Sequence, residues 1–170
     1  QKAAAPALYI QKKLGLEGFA SACATACASS ASAMVKACQL IKAGFCDAAV
    51  VGGVDIASAI VLSGFGALEA VSPGIANPFS RNRDGITLGD GAAFFVIARE
   101  DLWKTGIQLL GWGESSDASH MTAPEESGAG AAAAIRKALA SAGTEPEKID
   151  YINLHASNRP SSLASMASLE

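Results

Sequence analysis

The 170-residue chain is half hydrophobic and only 17% charged, a balance that suits a globular domain with a core and excludes a disordered chain. Its net charge of −3, with no basic stripe between aromatic residues, argues against nucleic acid as a partner. No apolar run is long enough to cross a membrane, and residues 1–15 lack the regions of a signal peptide. We therefore expect one cytoplasmic domain.

Hydrophobic periodicity predicts alternating helices and strands in an α/β chain. Apolar residues at i, i+3, i+4 and i+7 from residue 28 onward, including Val35, Cys38 and Ile41, predict a helix that stops at Gly44. The other predicted helices span residues 3–14, 58–68 and 131–142, and the predicted strands span 18–25, 47–53, 92–98, 107–112 and 149–154. Residues 72–91 are expected to form an irregular loop, long enough to line a functional site.

Four cysteines, at positions 23, 27, 38 and 46, lie close together in the sequence. Their spacing is irregular and no His lies near them, so we expect no zinc site and no other metal. Cys38 falls on the apolar stripe of the predicted helix and Cys46 just before a predicted strand, where a free thiol behaves as a small hydrophobic side chain.

Cys27 has a different setting, because a predicted strand runs through a tight turn of small residues directly into a helix. A thiol at a helix N-terminus lies at the positive end of the helix dipole, which favours the reactive thiolate. Backbone N–H groups of the same turn could hold a developing oxyanion. From these residues alone, an ordinary buried thiol stays an open alternative.

Residues 25–30, with the sequence Thr-Ala-Cys-Ala-Ser-Ser, resemble the Thr-Ala-Cys-x-Ser nucleophile turn of the β-ketoacyl-acyl carrier protein synthases. An overlapping match surrounds Cys23, but the distance to Gly44 and to Gly52-Gly53 fits the family only when Cys27 is the nucleophile. Cys23 is then expected to be a small buried residue on the preceding strand.

The resemblance continues to Leu154 through residues 46–55, 64–72, 77–85 and 88–93, and it is nearest to bacterial synthases of the aryl-polyene and type II fatty acid kind. It implies an incomplete thiolase-like fold of layered α/β/α type. Residues 1–170 would form one partial synthase domain, from the end of the N-terminal half into the start of the C-terminal half. The family's enzymes are much longer, so the chain looks like a middle fragment.

The resemblance also implies further site residues. Asn153-Leu154-His155 is similar to the entry of the family's His-Gly-Thr-Gly-Thr motif, whose His assists decarboxylation; a His after a strand is otherwise as often structural. Thr122 and Ser157 would contact the phosphopantetheine arm, and His120 would be a structural residue beside the tunnel. After His155 the chain departs from the motif, since Ala156 and Arg159 stand where the family has Gly and Thr.

The implied activity is decarboxylative Claisen condensation of an acyl thioester on Cys27 with malonyl-carrier protein. Expected partners are acyl carrier protein, acyl and malonyl thioesters, and a second subunit in a homodimer or a synthase/chain-length-factor heterodimer. No cofactor is needed beyond the phosphopantetheine that arrives on the carrier. Because the family's second catalytic His is missing, this chain alone should acylate weakly at best and should not condense.

Three alternatives stay open. The first is a non-catalytic chain-length-factor-like partner, although such partners usually replace the nucleophile that Cys27 retains. The second is a thiolase-like acyl-CoA enzyme, which fits the residues after Cys27 and residues 88–93 less well. The third is an inactive α/β domain, in which Cys27 would react no faster than Cys38.

Overall fold

A computed structural model describes residues 4–104, 106–119 and 125–155. Its helices are α1 (Ala5–Leu14), α2 (Ser29–Lys42), α3 (Ala59–Ala67) and α4 (Ala129–Ala142), and its strands are β1 (Ala48–Asp55) and β2 (Gly91–Ala98). Short 3-10 turns cover Ala26–Ala28 and Pro146–Lys148. These residues fall into two compact units, one within Gln1–Ala57 and Gly89–Ile107 and the other within Ser58–Leu88 and Gln108–Glu170.

The first unit is built on an antiparallel pair of strands. β1 pairs with β2 over its whole length, from Ala48 opposite Ala98 to Asp55 opposite Gly91. Helix α2 packs on this pair through the apolar stripe that the sequence predicted, with Val35, Cys38 and Ile41 buried. The exposed Lys36 and Lys42 lie outside the stripe, so the predicted orientation of α2 is confirmed.

The second unit contains α3, an irregular loop and α4. A parallel bridge joins Val71 to Ile86, and the Ser72 hydroxyl donates a 2.8 Å hydrogen bond to Asp84 Oδ1, so the two ends of the loop are tied together. Gly111 and Gly113 lie so close to the backbone of α4 that an added Cβ would collide with it. This extended segment therefore needs glycine to approach the helix.

The predicted helices are confirmed to within a few residues, although residue 3 lies outside the described residues. Glycines in the left-handed region end α1 and α4, Gly15 at φ +64° and Gly143 at φ +63°, as the sequence indicated. The loop at 72–91 is also confirmed, except that β2 takes its last residue, Gly91.

Three strand predictions are wrong, since residues 18–25, 107–112 and 149–154 are irregular. None of these runs pairs with another strand in the described ranges, and a strand needs such a partner for its backbone hydrogen bonds. Most of their large side chains are exposed, with Phe19 at 83%, Ile107 at 89% and Tyr151 at 79%. An apolar run shows that a segment could be buried in a sheet, but not which strand it would pair with.

Two burial predictions also need correction. β1 was expected to be buried on both faces, yet among its residues only Val51 is buried, because α2 covers one face of the pair. Cys23 was expected to be buried on a strand, but it is half-buried in the irregular segment before the first 3-10 turn.

Candidate active site

Cys27 lies in the middle of the 3-10 turn Ala26–Ala28, which runs without a break into α2. The structure thus confirms the predicted position of this residue at the start of a helix. Its side chain is exposed, whereas Cys38 is buried and Cys23 and Cys46 are half-buried. All four thiols are free, and Cys27 is the most accessible to a reagent in solution.

The backbone before Cys27 bends sharply. Ala26 has φ +50°, in the left-handed region that side chains with a Cβ rarely adopt. The Ala28 N–H closes the bend by donating to the Thr25 carbonyl at 3.2 Å. A non-glycine residue in this conformation must be held by its neighbours, and such positions are concentrated at functional sites.

The Ser29 hydroxyl provides part of the restraint on the backbone at Ala26. It accepts a 2.9 Å hydrogen bond from the Thr25 N–H and donates a 2.6 Å hydrogen bond to the Ala26 carbonyl. A longer contact of 3.4 Å joins the Thr25 and Ser32 hydroxyls. The residues on both sides of the bend are therefore tied to the first turn of α2.

The N-terminus of α2 gives the turn its electrostatic character. Ala28 occupies the N-cap position, and its methyl side chain cannot accept hydrogen bonds from the first N–H groups of the helix. These groups and the helix dipole favour nearby negative charge, such as that of a developing oxyanion. This remains the physical basis for predicting a nucleophile here.

The sheet fixes the position of α2. A Cβ added at Gly53 would collide with Ser30 Oγ, so the Ser30 side chain in the first turn of α2 lies directly against Gly53 of β1. Further along α2, burial raises the pKa of the Cys38 thiol, an effect that Lys42 partly offsets. Cys38 is therefore a core thiol and an internal reference for the reactivity of Cys27.

A shallow cleft of about 280 Å³ lies beside this first turn. Its lining is mainly small and apolar, with Ser30 and Met34 from α2, Phe95 from β2 and Asp55 at the end of β1. Asp90 fixes that end of the strand pair, because its carboxylate accepts a 2.6 Å hydrogen bond from the Ala57 N–H.

The remaining predicted site residues are placed only in part. His155 is exposed and belongs to the second unit, where it follows the half-buried Leu154; Cys27 belongs to the first. Thr122, His120 and Ser157 lie outside the described residues, as do Ala156 and Arg159. Their predicted roles therefore stay predictions.

Sequence reasoning missed Ser29 and Asp90 as supports of the site. A serine two positions after the cysteine, at the predicted start of a helix, was a usable signal, because Ser is favoured where unpaired backbone groups need a partner. Asp90 gave no comparable signal, since its partner, Ala57, is distant in the sequence.

Within residues 4–104, 106–119 and 125–155, no group of three or more His, Cys, Asp or Glu side chains could hold a metal ion. No helix in the same ranges is long and apolar enough to span a membrane.

Comparison with known families agrees with the motif at Cys27. The family described as "Beta-ketoacyl synthase, N-terminal domain" matches residues 2–102, more than half of the chain, and "Beta-ketoacyl synthase, C-terminal domain" matches residues 107–161. The chain belongs to the β-ketoacyl synthase family. Its fold is accordingly an incomplete part of the thiolase-like α/β architecture, as the sequence implied.

Curated relatives of this synthase chain are 3-oxoacyl-[acyl-carrier-protein] synthases. It is 37% identical over 158 residues to 3-oxoacyl-[acyl-carrier-protein] synthase 2 of Vibrio cholerae, covering 86% of this chain and 38% of the relative. It is 34% identical over 165 residues to the mitochondrial 3-oxoacyl-[acyl-carrier-protein] synthase of Arabidopsis thaliana, covering 89% and 36%. The synthase chain thus spans less than two fifths of these relatives.

Solved synthases have the same fold. The ketosynthase ApeO in complex with its chain length factor ApeC, from Xenorhabdus doucetiae, gives a TM-score of 0.85 at 43% identity, covering 94% of this chain and 39% of that one. The ishigamide ketosynthase/chain length factor gives 0.87 at 30% identity, covering 99% and 44%. A type II polyketide ketosynthase in complex with its acyl-carrier protein, AntDE:AntF, gives 0.83 at 26% identity, covering 95% and 43%.

Proposed function

We propose that the protein acts as a β-ketoacyl-[acyl carrier protein] synthase and that Cys27 is the residue that accepts the acyl group. The observation that carries the proposal is the exposed thiol of Cys27 in a tight turn at the start of α2, in a chain of the β-ketoacyl synthase family. Exposure lets a thioester reach the sulfur, and the N–H groups at the helix start can stabilise the negative charge that develops as it reacts.

In the first half-reaction, Cys27 Sγ attacks the carbonyl carbon of an acyl thioester carried on a phosphopantetheine arm. A carbon–sulfur bond forms to Cys27, and the tetrahedral intermediate collapses with loss of the carrier's thiolate. The backbone N–H groups at the start of α2 stabilise the oxyanion. The product is an acyl group held on Cys27 as a thioester.

In the second half-reaction, a malonyl thioester loses CO2, and the bond to the departing carboxylate supplies the electron pair of a carbanion. That carbanion attacks the acyl carbonyl on Cys27, and the Cys27 thiolate leaves. His155 assists decarboxylation by stabilising negative charge on the malonyl thioester oxygen as the enolate forms. The family resemblance assigns a further catalytic His to this step, which residues 1–170 do not contain, so this chain alone should acylate weakly at best and should not condense.

The proposed partners follow from the same chemistry. Acyl carrier protein delivers both thioesters, and Thr122 and Ser157 contact its arm; no other cofactor takes part. The second subunit is another synthase chain or a chain length factor. Relatives described as a ketosynthase in complex with a chain length factor or with an acyl-carrier protein support this choice. We place the reaction in the cytoplasm.

A chain-length-factor-like role is the second candidate. It is favoured by the altered residues after His155, where Ala156 and Arg159 replace small residues of the family motif. It is disfavoured by Cys27, because such partners usually lack the nucleophile. The two roles differ in whether Cys27 reacts with a pantetheine-linked electrophile.

Labelling with chloroacetyl-pantetheine tests the proposal. The Cys27 thiolate would displace chloride and gain one pantetheine adduct, which intact mass detects. We expect one adduct on the native chain and on the matched control Cys46→Ser, and none on Cys27→Ser after the same brief exposure. Equal labelling of Cys27→Ser and the native chain would overturn the assignment of Cys27.

A further inference from the structure

The Ser29 hydroxyl accepts a hydrogen bond from the Thr25 N–H, on the other side of Cys27. The Ser29 N–H already donates to the Ala26 carbonyl within the 3-10 turn. The hydroxyl adds a second donor to that carbonyl and, at 2.9 Å, gives the Thr25 N–H an acceptor. Thr25 precedes the bend and Ser29 follows it, so the hydroxyl spans the segment that contains Cys27.

The bend needs such a restraint. Ala26 at φ +50° is unfavourable for a residue with a Cβ and would relax if its neighbours let it. Another side-chain link across the bend, between the Thr25 and Ser32 hydroxyls, is 3.4 Å long and therefore weak. The two short hydrogen bonds of Ser29 are the stronger restraint.

We propose that Ser29 is a positioning residue, whose hydroxyl holds the Thr25–Ala26 bend and so keeps Cys27 Sγ at the N-terminus of α2. Its importance for catalysis rests on the proposed role of Cys27 as nucleophile. Loss of the hydroxyl lets Ala26 relax and moves Cys27 Sγ away from the N–H groups and dipole at the start of α2, which stabilise nearby negative charge. Ser29 itself does not touch the acyl group.

An isosteric pair of variants tests this role. Ser29→Val removes the hydroxyl and Ser29→Thr keeps it, with nearly the same shape at the same position. The readout is the rate of iodoacetamide alkylation at Cys27 divided by the rate at Cys46 in the same molecules, obtained by peptide mapping. We expect the ratio to fall about fivefold in Ser29→Val, the size of a helix-end charge effect, and to stay within about twofold of native in Ser29→Thr.

Either an unchanged ratio in Ser29→Val or an equal fall in Ser29→Thr would overturn the proposal. Ser30→Ala is the matched control, because the Ser30 hydroxyl lies against Gly53 of β1; its ratio should equal the native one. Should Ser29→Val fail to fold, as judged by circular dichroism, Ser29→Ala replaces it with the same expected fall.

A second readout separates this inference from the proposed function. In Ser29→Ala, chloroacetyl-pantetheine should inactivate Cys27 with a lower maximal rate and an unchanged half-saturating concentration, because the thiol has moved and the pantetheine contacts have not. Iodoacetamide needs no acyl pocket. A chain that alkylates as expected but ignores the pantetheine probe would retain the role of Ser29 and lose the synthase proposal.

Discussion

At the level of single residues, the four thiols have different surroundings although they lie close together in the sequence. Cys27 is exposed in a bend held by hydrogen bonds, and Cys38 is buried on α2. The immediate sequence neighbours do not distinguish the two cysteines, since each follows an alanine. Helical periodicity identified Cys38 as a buried residue, and position at a helix start identified Cys27 as a candidate nucleophile.

Burial of Cys38 predicts a stability that falls in alkali. Desolvation raises the thiol's pKa in the folded chain, so its contribution is complete below the unfolded value of about 8.5. It is lost as pH rises through the higher folded value, because the unfolded chain releases the proton more readily. Urea unfolding at pH 7.5 and 10 should show a smaller loss in Cys38→Ala than in the native chain; an equal loss would contradict the prediction.

At the level of elements, the sequence predicted helices better than strands. A helix is specified by residues three and four apart, so the apolar stripe of α2 can be recognised from residues that are close in the sequence. A strand is specified by its partner, and β1 pairs with β2 across an intervening helix and loop. The runs at 107–112 and 149–154 have the composition of strands but no partner within the described residues.

The approach of residues 111–113 to α4 can be tested through its glycines. A Cβ at position 113 would collide with the Ala134 carbonyl, so Gly113→Ala should lower the free energy of unfolding by about 1–3 kcal/mol. Gly66→Ala is the control, because Gly66 is helical with open space around it; it should raise the free energy by about 0.5–1 kcal/mol. Urea denaturation measures both, and equal shifts would refute the packing described.

At the level of the whole molecule, the residues that the structure describes bury few apolar side chains. These are Val35, Ala37, Cys38, Ile41, Val51 and Ala132. Five of them belong to the first unit, where α2 packs on β1 and supports the turn at Cys27. The residues that form the turn at Cys27 are close in sequence. The turn therefore depends on local contacts and on the packing of α2 against β1.

The same distinction explains how much of the candidate site was predictable. Cys27 was found from a local motif at a helix start, and the structure places it there. The restraint from Ser29 depends on the rotamer of its side chain and on an unusual φ at Ala26, neither of which the amino-acid sequence specifies. His155 was expected to follow a strand, but in the structure it follows an irregular segment.

Cerulenin labelling of the native chain, followed by peptide mapping of all four cysteines, is the measurement we would make first. The epoxide is opened by a thiolate and adds its whole mass to the sulfur that attacks. We predict that the adduct accumulates on the Cys27 peptide well before those of Cys23, Cys38 and Cys46. Labelling spread evenly over the exposed and half-buried thiols, or its absence from Cys27, would contradict a synthase nucleophile at the start of α2.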